Sequence, residues 1–185
     1  RFPVTPSRSP ARRTDMADAA PRSLKRFSTR YVESEDRVRL IGKPDDGAPE
    51  VIWLTQRLLQ RLIPALVQWL DGQGSADAQR EVLHAWAQQK ARADLVPGPQ
   101  VQPADDSRAW VARSVQVTKR AKGMRLTFKG AGEAPVSVTF AVKGLRQWLS
   151  IVYAAYADAG WPGDVWPEWM RESAAPLKTR AIVLH

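Results

Sequence analysis

The sequence predicts an α+β fold, an antiparallel β-sheet carrying helices, in the element order βββ-α-α-βββ-α. Three observations lead there. Apolar and polar residues alternate at period two through 25–54 and again through 109–140, broken by turn-forming clusters. A helical period follows each of these stretches directly, at 55–71 and at 141–158. The two blocks also run in the same sequence of elements, which suggests a duplicated βββα unit.

The first strand is KRFSTRYVE (25–33), with Phe27, Thr29 and Tyr31 on one face. Ser34, Glu35 and Asp36 make a turn, and RVRLIG follows with Val38 and Leu40 opposite Arg37 and Arg39. PDDGAP turns the chain again into EVIWL, the third strand. This strand opens the most apolar window of the chain, VIWLTQRLLQRLIPALVQWL (51–70). Twenty residues suffice for a membrane span. Arg57 and Arg61 exclude one, since each costs about 2.5–3.5 kcal/mol to insert near the centre. The polar residues recur at helical spacing, and Leu58, Leu59, Leu62, Ile63, Leu66, Trp69 and Leu70 fill the other face. The window is therefore a strand feeding a core helix, with Thr55 as N-cap. Pro64 predicts a kink or break inside that helix.

Gly72 and Gly74 stop the first helix, and Ser75 starts a second that runs to about 93 with Val82, Leu83 and Trp86 inward. LVPGPQVQPADDS is a loop. WVARSVQVT is then a strand, MRLTFK a second with Met124, Leu126 and Phe128 on the core side, and VSVTF a third. The closing helix carries Leu145, Trp148, Leu149, Val152 and Tyr156 at core spacing and stops at Gly160. Overlaying the blocks matches Trp53 with Phe140, Leu58 with Leu145, Leu62 with Leu149 and Trp69 with Tyr156.

This reading divides the chain into a basic Pro/Arg-rich tail (1–24) expected to be disordered, one α+β domain (25–160, with possible halves 25–71 and 108–160) and a Trp/Pro-rich C-terminal strap (161–185). The element order resembles that of the head domains of end-joining and centriolar scaffold proteins, where a helical pair interrupts an antiparallel sandwich. In those proteins a long coiled-coil stalk follows; here WPGDVWPEWM stands in its place.

Catalytic residue types are scarce. The chain has no Cys, which removes disulfides, thiolate nucleophiles and Cys-based zinc sites and suits the cytoplasm. Of the two His, His84 reads as a helix-surface or boundary residue and His185 is the last residue. Asp45, Asp46 and Glu50 lack the spacing of a calcium loop, and Glu33, Glu35 and Asp36 read as an exposed hairpin tip. Phosphate-binding and nucleophile-elbow motifs are missing. No catalytic residue, metal ligand or cofactor is expected.

Charge is more informative. Two zones account for more than the whole net +9: residues 1–26 carry +5, and residues 108–148 carry +8, where nine Lys and Arg face the single Glu133. Arg113, Lys119, Arg120, Lys122, Arg125 and Lys129 fall on two adjacent strands and their turn, and Lys143 and Arg146 begin the next helix. Such a surface attracts carboxylates and phosphates; a merely solvated face is the alternative. Trp161, Trp166 and Trp169 either fill gaps on the core or anchor a partner. LKTRAIVLH can add a short strand to this sheet or to another chain's. The leading expectation is a non-catalytic interaction or scaffold protein docking an acidic partner on the basic strand face. Nucleic-acid binding by that face and the basic tail is the second, and an enzyme using carboxylates such as Glu33 and Asp36 the third. A homodimer could form if one basic face met another molecule's acidic hairpin tip.

Overall fold

The computed structural model describes residues 20–45, 47–73, 80–96, 98–172 and 182–184. The tail expected at 1–24 lies mostly outside them, as do Asp46, Ser75 and His185; its last residues, from Arg22, already belong to the first strand.

The elements are β1 (Arg22–Val32), β2 (Arg37–Pro44), β3 (Glu50–Leu54), α1 (Gln56–Asp71), α2 (Arg80–Ala93), β4 (Arg108–Val111), β5 (Ser114–Arg120), β6 (Gly123–Lys129), β7 (Val136–Ala141), α3 (Val142–Asp158), α4 (Glu168–Glu172) and β8 (Ile182–Leu184). The class is α+β, and the helical pair interrupts the strands as expected. Two features of the predicted sheet are corrected. The expected single strand WVARSVQVT is two, β4 and β5, and the sheet is mixed rather than antiparallel. Its order is β4-β3-β2-β1-β7-β6-β5, with β8 added antiparallel to β1. β1 pairs β7 in parallel, and β3 pairs β4 in parallel.

The split of the predicted strand has a cause. Ala112 donates its N–H to Trp53 of β3, and the next residue, Arg113, donates to Lys129 of β6. Consecutive residues thus bond to the next-to-last strand at either end of the order, so the sheet curls to bring its terminal strands β4 and β5 together at this crossover, without pairing them. Helices α1 and α3 and the inward residues of every strand from β1 to β7 except β5 share one buried cluster; Val115 and Val117 of β5 pack on its edge half-buried.

The two halves follow one pairing scheme. Val38 pairs Leu54, and Met124 pairs Phe140, each position 86 residues further on. β1 begins beside the start of β7 (Arg22 with Val136), and β4 begins beside the start of β3 (Arg108 with Glu50), again 86 residues apart at both positions. The helices obey the same spacing: Leu59, Leu62, Ile63, Leu66 and Leu70 correspond to Leu145, Trp148, Leu149, Val152 and Tyr156, and all ten are buried. The overlay drawn from sequence was one residue out of register, because Leu58 is only half-buried and Leu59 takes the core position. In each half, the first strand starts against the other half's third strand and then turns antiparallel to its own second.

Thr55 caps α1 as expected, its Oγ1 accepting from the N–H of Leu58 at 3.2 Å. Pro64 does not break α1, which is continuous from Gln56 to Asp71. The proline sits on the exposed side, where water can take the carbonyl it leaves without a donor. α2 is turned opposite to expectation. Val82, Leu83 and Trp86 are exposed, Trp86 by 70%, and the buried residues are His84, Gln88 and Ala91.

The start of the C-terminal segment is anchored at Trp161 and at Trp166. Trp161 Nε1–H and Tyr31 O–H both donate to Asp36 Oδ1, at 3.0 and 2.9 Å, fixing Asp36 in its left-handed conformation (φ 46°). Trp166 packs edge-on against Tyr153 and Tyr156; burial, aided by Asp164, pushes the Tyr156 phenol up to about 12. No helix among the described residues is long and apolar enough to cross a membrane.

Candidate docking surface

The β5–β6 hairpin brings together six of the eight basic residues singled out from sequence. Register decides their direction. Met124, Leu126 and Phe128 are buried, so Arg125 and Lys129 point outward beside Thr118 and Ser114 of β5. Arg120 ends β5, Lys122 lies in the two-residue turn, and Arg113 projects from the crossover beside Val111. Lys119 has core-facing parity, opposite Met124, but stands exposed where the core ends. Gly123 is required at the start of β6, because a Cβ there would overlap the Phe140 carbonyl. Residues 113–129 contain no carboxylate, and none of the six cations is ion-paired among the described residues.

Two residues leave this surface. Lys143 is exposed but pairs with Asp94 at 2.8 Å, and its hydrogen bond holds the Asp94 carboxyl below the usual range. It borders a groove of about 720 Å³ where β1 and β7 diverge, floored by Leu24, Phe27, Leu95 and Phe140. Arg146 is 6% exposed and is a core residue, contrary to expectation. Its Nη2 lies 2.8 Å from His84 Nδ1, and its guanidinium covers the Trp169 ring at 5.4 Å. Gln88 donates to the Arg146 carbonyl and to Ser150 Oγ. This polar seam clamps α2 to α3, which is why the polar side of α2 is the buried one. His84 is therefore internal rather than a boundary residue; burial first, then Arg146, lowers its pKa, with Asp71 opposing.

Of the three C-terminal indoles, Trp166 and Trp169 are buried and Trp161 is partly exposed. Trp169 stacks on His84, and Trp161 is tied to Asp36. Trp166 and Trp169 belong to the buried core cluster, and Trp161 packs against its edge.

Sequence reasoning missed a second basic row. Arg30, Arg39, Trp53 and Val111 are directly opposite one another across β1, β2, β3 and β4, on the outer face. Arg39 Cζ lies 6.0 Å from the Trp53 ring centre, and burial, then the charge of Arg30, lowers the Arg39 pKa. Like charges directly opposite on neighbouring strands repel, and no carboxylate pairs with either arginine among the described residues. By the 86-residue correspondence Arg39 and Trp53 match Arg125 and Thr139, and Arg125 Nε donates weakly to Thr139 Oγ1 at 3.4 Å. Each half thus places an arginine at the same outward position. The two rows adjoin at the crossover, where Val111 and Arg113 both face out. Parity alone would have placed Arg39 outward; its meeting with Arg30 required the register.

No group of three or more His, Cys, Asp or Glu positioned to hold a metal occurs among the described residues. No protein-family model, curated protein or solved structure matches this chain.

Proposed function

We propose that this is a non-catalytic interaction protein that docks an acidic protein partner on the basic outer band formed by Arg113, Arg120, Arg125 and Lys129, continued by Arg30 and Arg39. One observation carries the proposal: residues 113–129 hold no carboxylate, and none of these cations is ion-paired among the described residues. A solvated face normally intersperses both signs, and leaving one sign alone costs self-repulsion that a partner relieves. The test is Arg125→Glu with Lys129→Glu, which alters surface charge by −4 and spares Met124, Leu126 and Phe128. Binding to polyglutamate should weaken at least about tenfold at low salt and converge with the parent at high salt, where the field is screened within a few ångströms. A folded double variant that binds like the parent would sink the proposal.

Nucleic-acid binding by the same band is the second reading. The partly exposed Trp53 beneath Arg39 favours it, because an arginine on an aromatic platform suits phosphate and base together. Retention on random duplex DNA in preference to polyglutamate would select it. Descent from a duplicated βββα unit accounts for the common layout of the halves and for Arg39 and Arg125 at matching sites. Homodimerisation through the hairpin tip has Glu33 to offer first, since Asp36 is engaged by Tyr31 and Trp161 and Glu35 pairs with Arg37 at 3.8 Å.

A further inference from the structure

The two halves treat one equivalent edge differently. In the first half, Phe27, Ser28 and Thr29 of β1 pair on one side with β2 and on the other with β8, through Leu184, Val183 and Ile182. Pairing with the second strand of each half carries these positions across at an offset of 88 rather than 86, β1 having an irregularity between Leu24 and Arg26. Thr29 pairs Leu40, Leu40 corresponds to Leu126, and Leu126 pairs Val117. Phe27, Ser28 and Thr29 therefore correspond to Val115, Gln116 and Val117 of β5. There the edge is empty: β6 is the only strand partner of β5 among the described residues. Burial registers the difference. Phe27 and Thr29 are 4% and 1% exposed, whereas Val115 and Val117 are half-buried and Gln116 is exposed.

We propose that the edge of β5 at Val115–Val117 receives an extended acidic strand of the partner, antiparallel to β5, in the place that β8 occupies on β1. This rests on the docking role proposed above and specifies how the partner is held. The edge is suited to it. β5 is a regular seven-residue strand without proline or bulge, spanning about 23 Å, whereas the other terminal strand, β4, has four residues. Long edges left unprotected are templates for strand addition. Alternate residues of an added strand would meet two surfaces: apolar ones the open flanks of Val115 and Val117, acidic ones the side bearing Arg120, Arg125 and Lys129.

Charge selects against the occupants this chain could itself supply. A second copy's β5 would bring Lys119 and Arg120, with the other four cations of its residues 113–129 close behind, against the same six. The C-terminal segment of another copy, LKTRAIVLH, carries Lys178 and Arg180 and no acid. An acidic strand is attracted where both of these are repelled.

The experiment uses the full chain and an acetylated, amidated nine-residue peptide alternating Glu and Val. Two derivatives carry N-methyl groups on alternate backbone amides, one on the odd and one on the even positions, with charge and side chains unchanged. Strand addition uses one set of amides and leaves the other facing away. One derivative should lose about tenfold or more in affinity, several backbone hydrogen bonds being removed at once, and the other should bind like the parent. Alternate amides of Ser114–Arg120 should gain protection from hydrogen exchange. If both derivatives bind as the parent does, or both lose equally, the edge is not paired and the proposal falls while acidic docking stands. Strand addition fails in the same way if polyglutamate binds and the alternating peptide does not. If only duplex DNA binds, or nothing acidic binds, strand addition and the docking of an acidic protein fall together.

Discussion

Glu50 should be the most sensitive single position in the joint between the halves. It opens β3, is 2% exposed, and holds two partners with its two oxygens: the Arg22 guanidinium at the start of β1 and, at 2.8 Å, the Trp110 Nε1–H of β4. Glu50→Gln keeps the shape and an acceptor for Trp110 and removes the charge facing Arg22. Removing one member of a buried pair costs about 3–5 kcal/mol. Arg22 retains 23% side-chain exposure and can turn part of its guanidinium to water, which lowers the expectation to about 2–3 kcal/mol. In a chain of this size each kcal/mol moves the melting temperature by about 2–4 °C, so a fall of about 4–12 °C is expected. Urea unfolding should give the same loss with an unchanged m-value. Adding Arg22→Met should recover about 1–2 kcal/mol, because the unpaired charge is then gone. A Glu50→Gln protein within about 0.5 kcal/mol of the parent would refute the claim that this carboxylate holds the joint.

Acid should act through His84, which faces Arg146, Asp71, Arg80 and the Trp169 ring. Its folded pKa lies below the ordinary 6.5, so the unfolded chain binds more protons as pH drops through 6.5. Stability should fall below that pH, by at most about 1.4 kcal/mol per unit, and level off under the folded value. Denaturant titrations from pH 7.5 to 4.5 on parent and His84→Gln check this, and equal slopes between pH 6.5 and the folded pKa would show that His84 is not responsible. Pro64→Ala should stabilise by about 1–3 kcal/mol, since the position is exposed and mid-helix; an unchanged melting temperature would mean that the chain has absorbed the proline without cost.

Local chemistry was readable where the answer lay within one element. The Thr55 cap, the α1 stripe and the alternation of β6 each need only neighbouring residues. The failures share a different origin. Val82, Leu83 and Trp86 form an apolar stripe, and a stripe normally faces inward, but α2 is oriented by His84 and Gln88 meeting Arg146 and Ser150 of α3. Arg146 read as a surface charge because nothing near it in sequence announces a helix packed over it. The parallel pairings join residues about 60 to 110 positions apart, and no short window reports them. Arg30 and Arg39 lie close in sequence, yet their confrontation follows from hairpin register, which shifts by a residue without visible change in composition.

The hand-over at Ala112 and Arg113 bears on how the molecule comes apart. Each half lends the opening of its first strand to complete the other, so neither possesses a finished border. A fluctuation that frees β4 from β3 also slackens β5 where it enters against β6, because one backbone spans both attachments. The pairings that close the sheet are long-range, which makes closure a late event in folding and its loss an early one in unfolding. The crossover behaves as a shared hinge pin: it transmits disorder from either half to the other and leaves the two no way to melt independently.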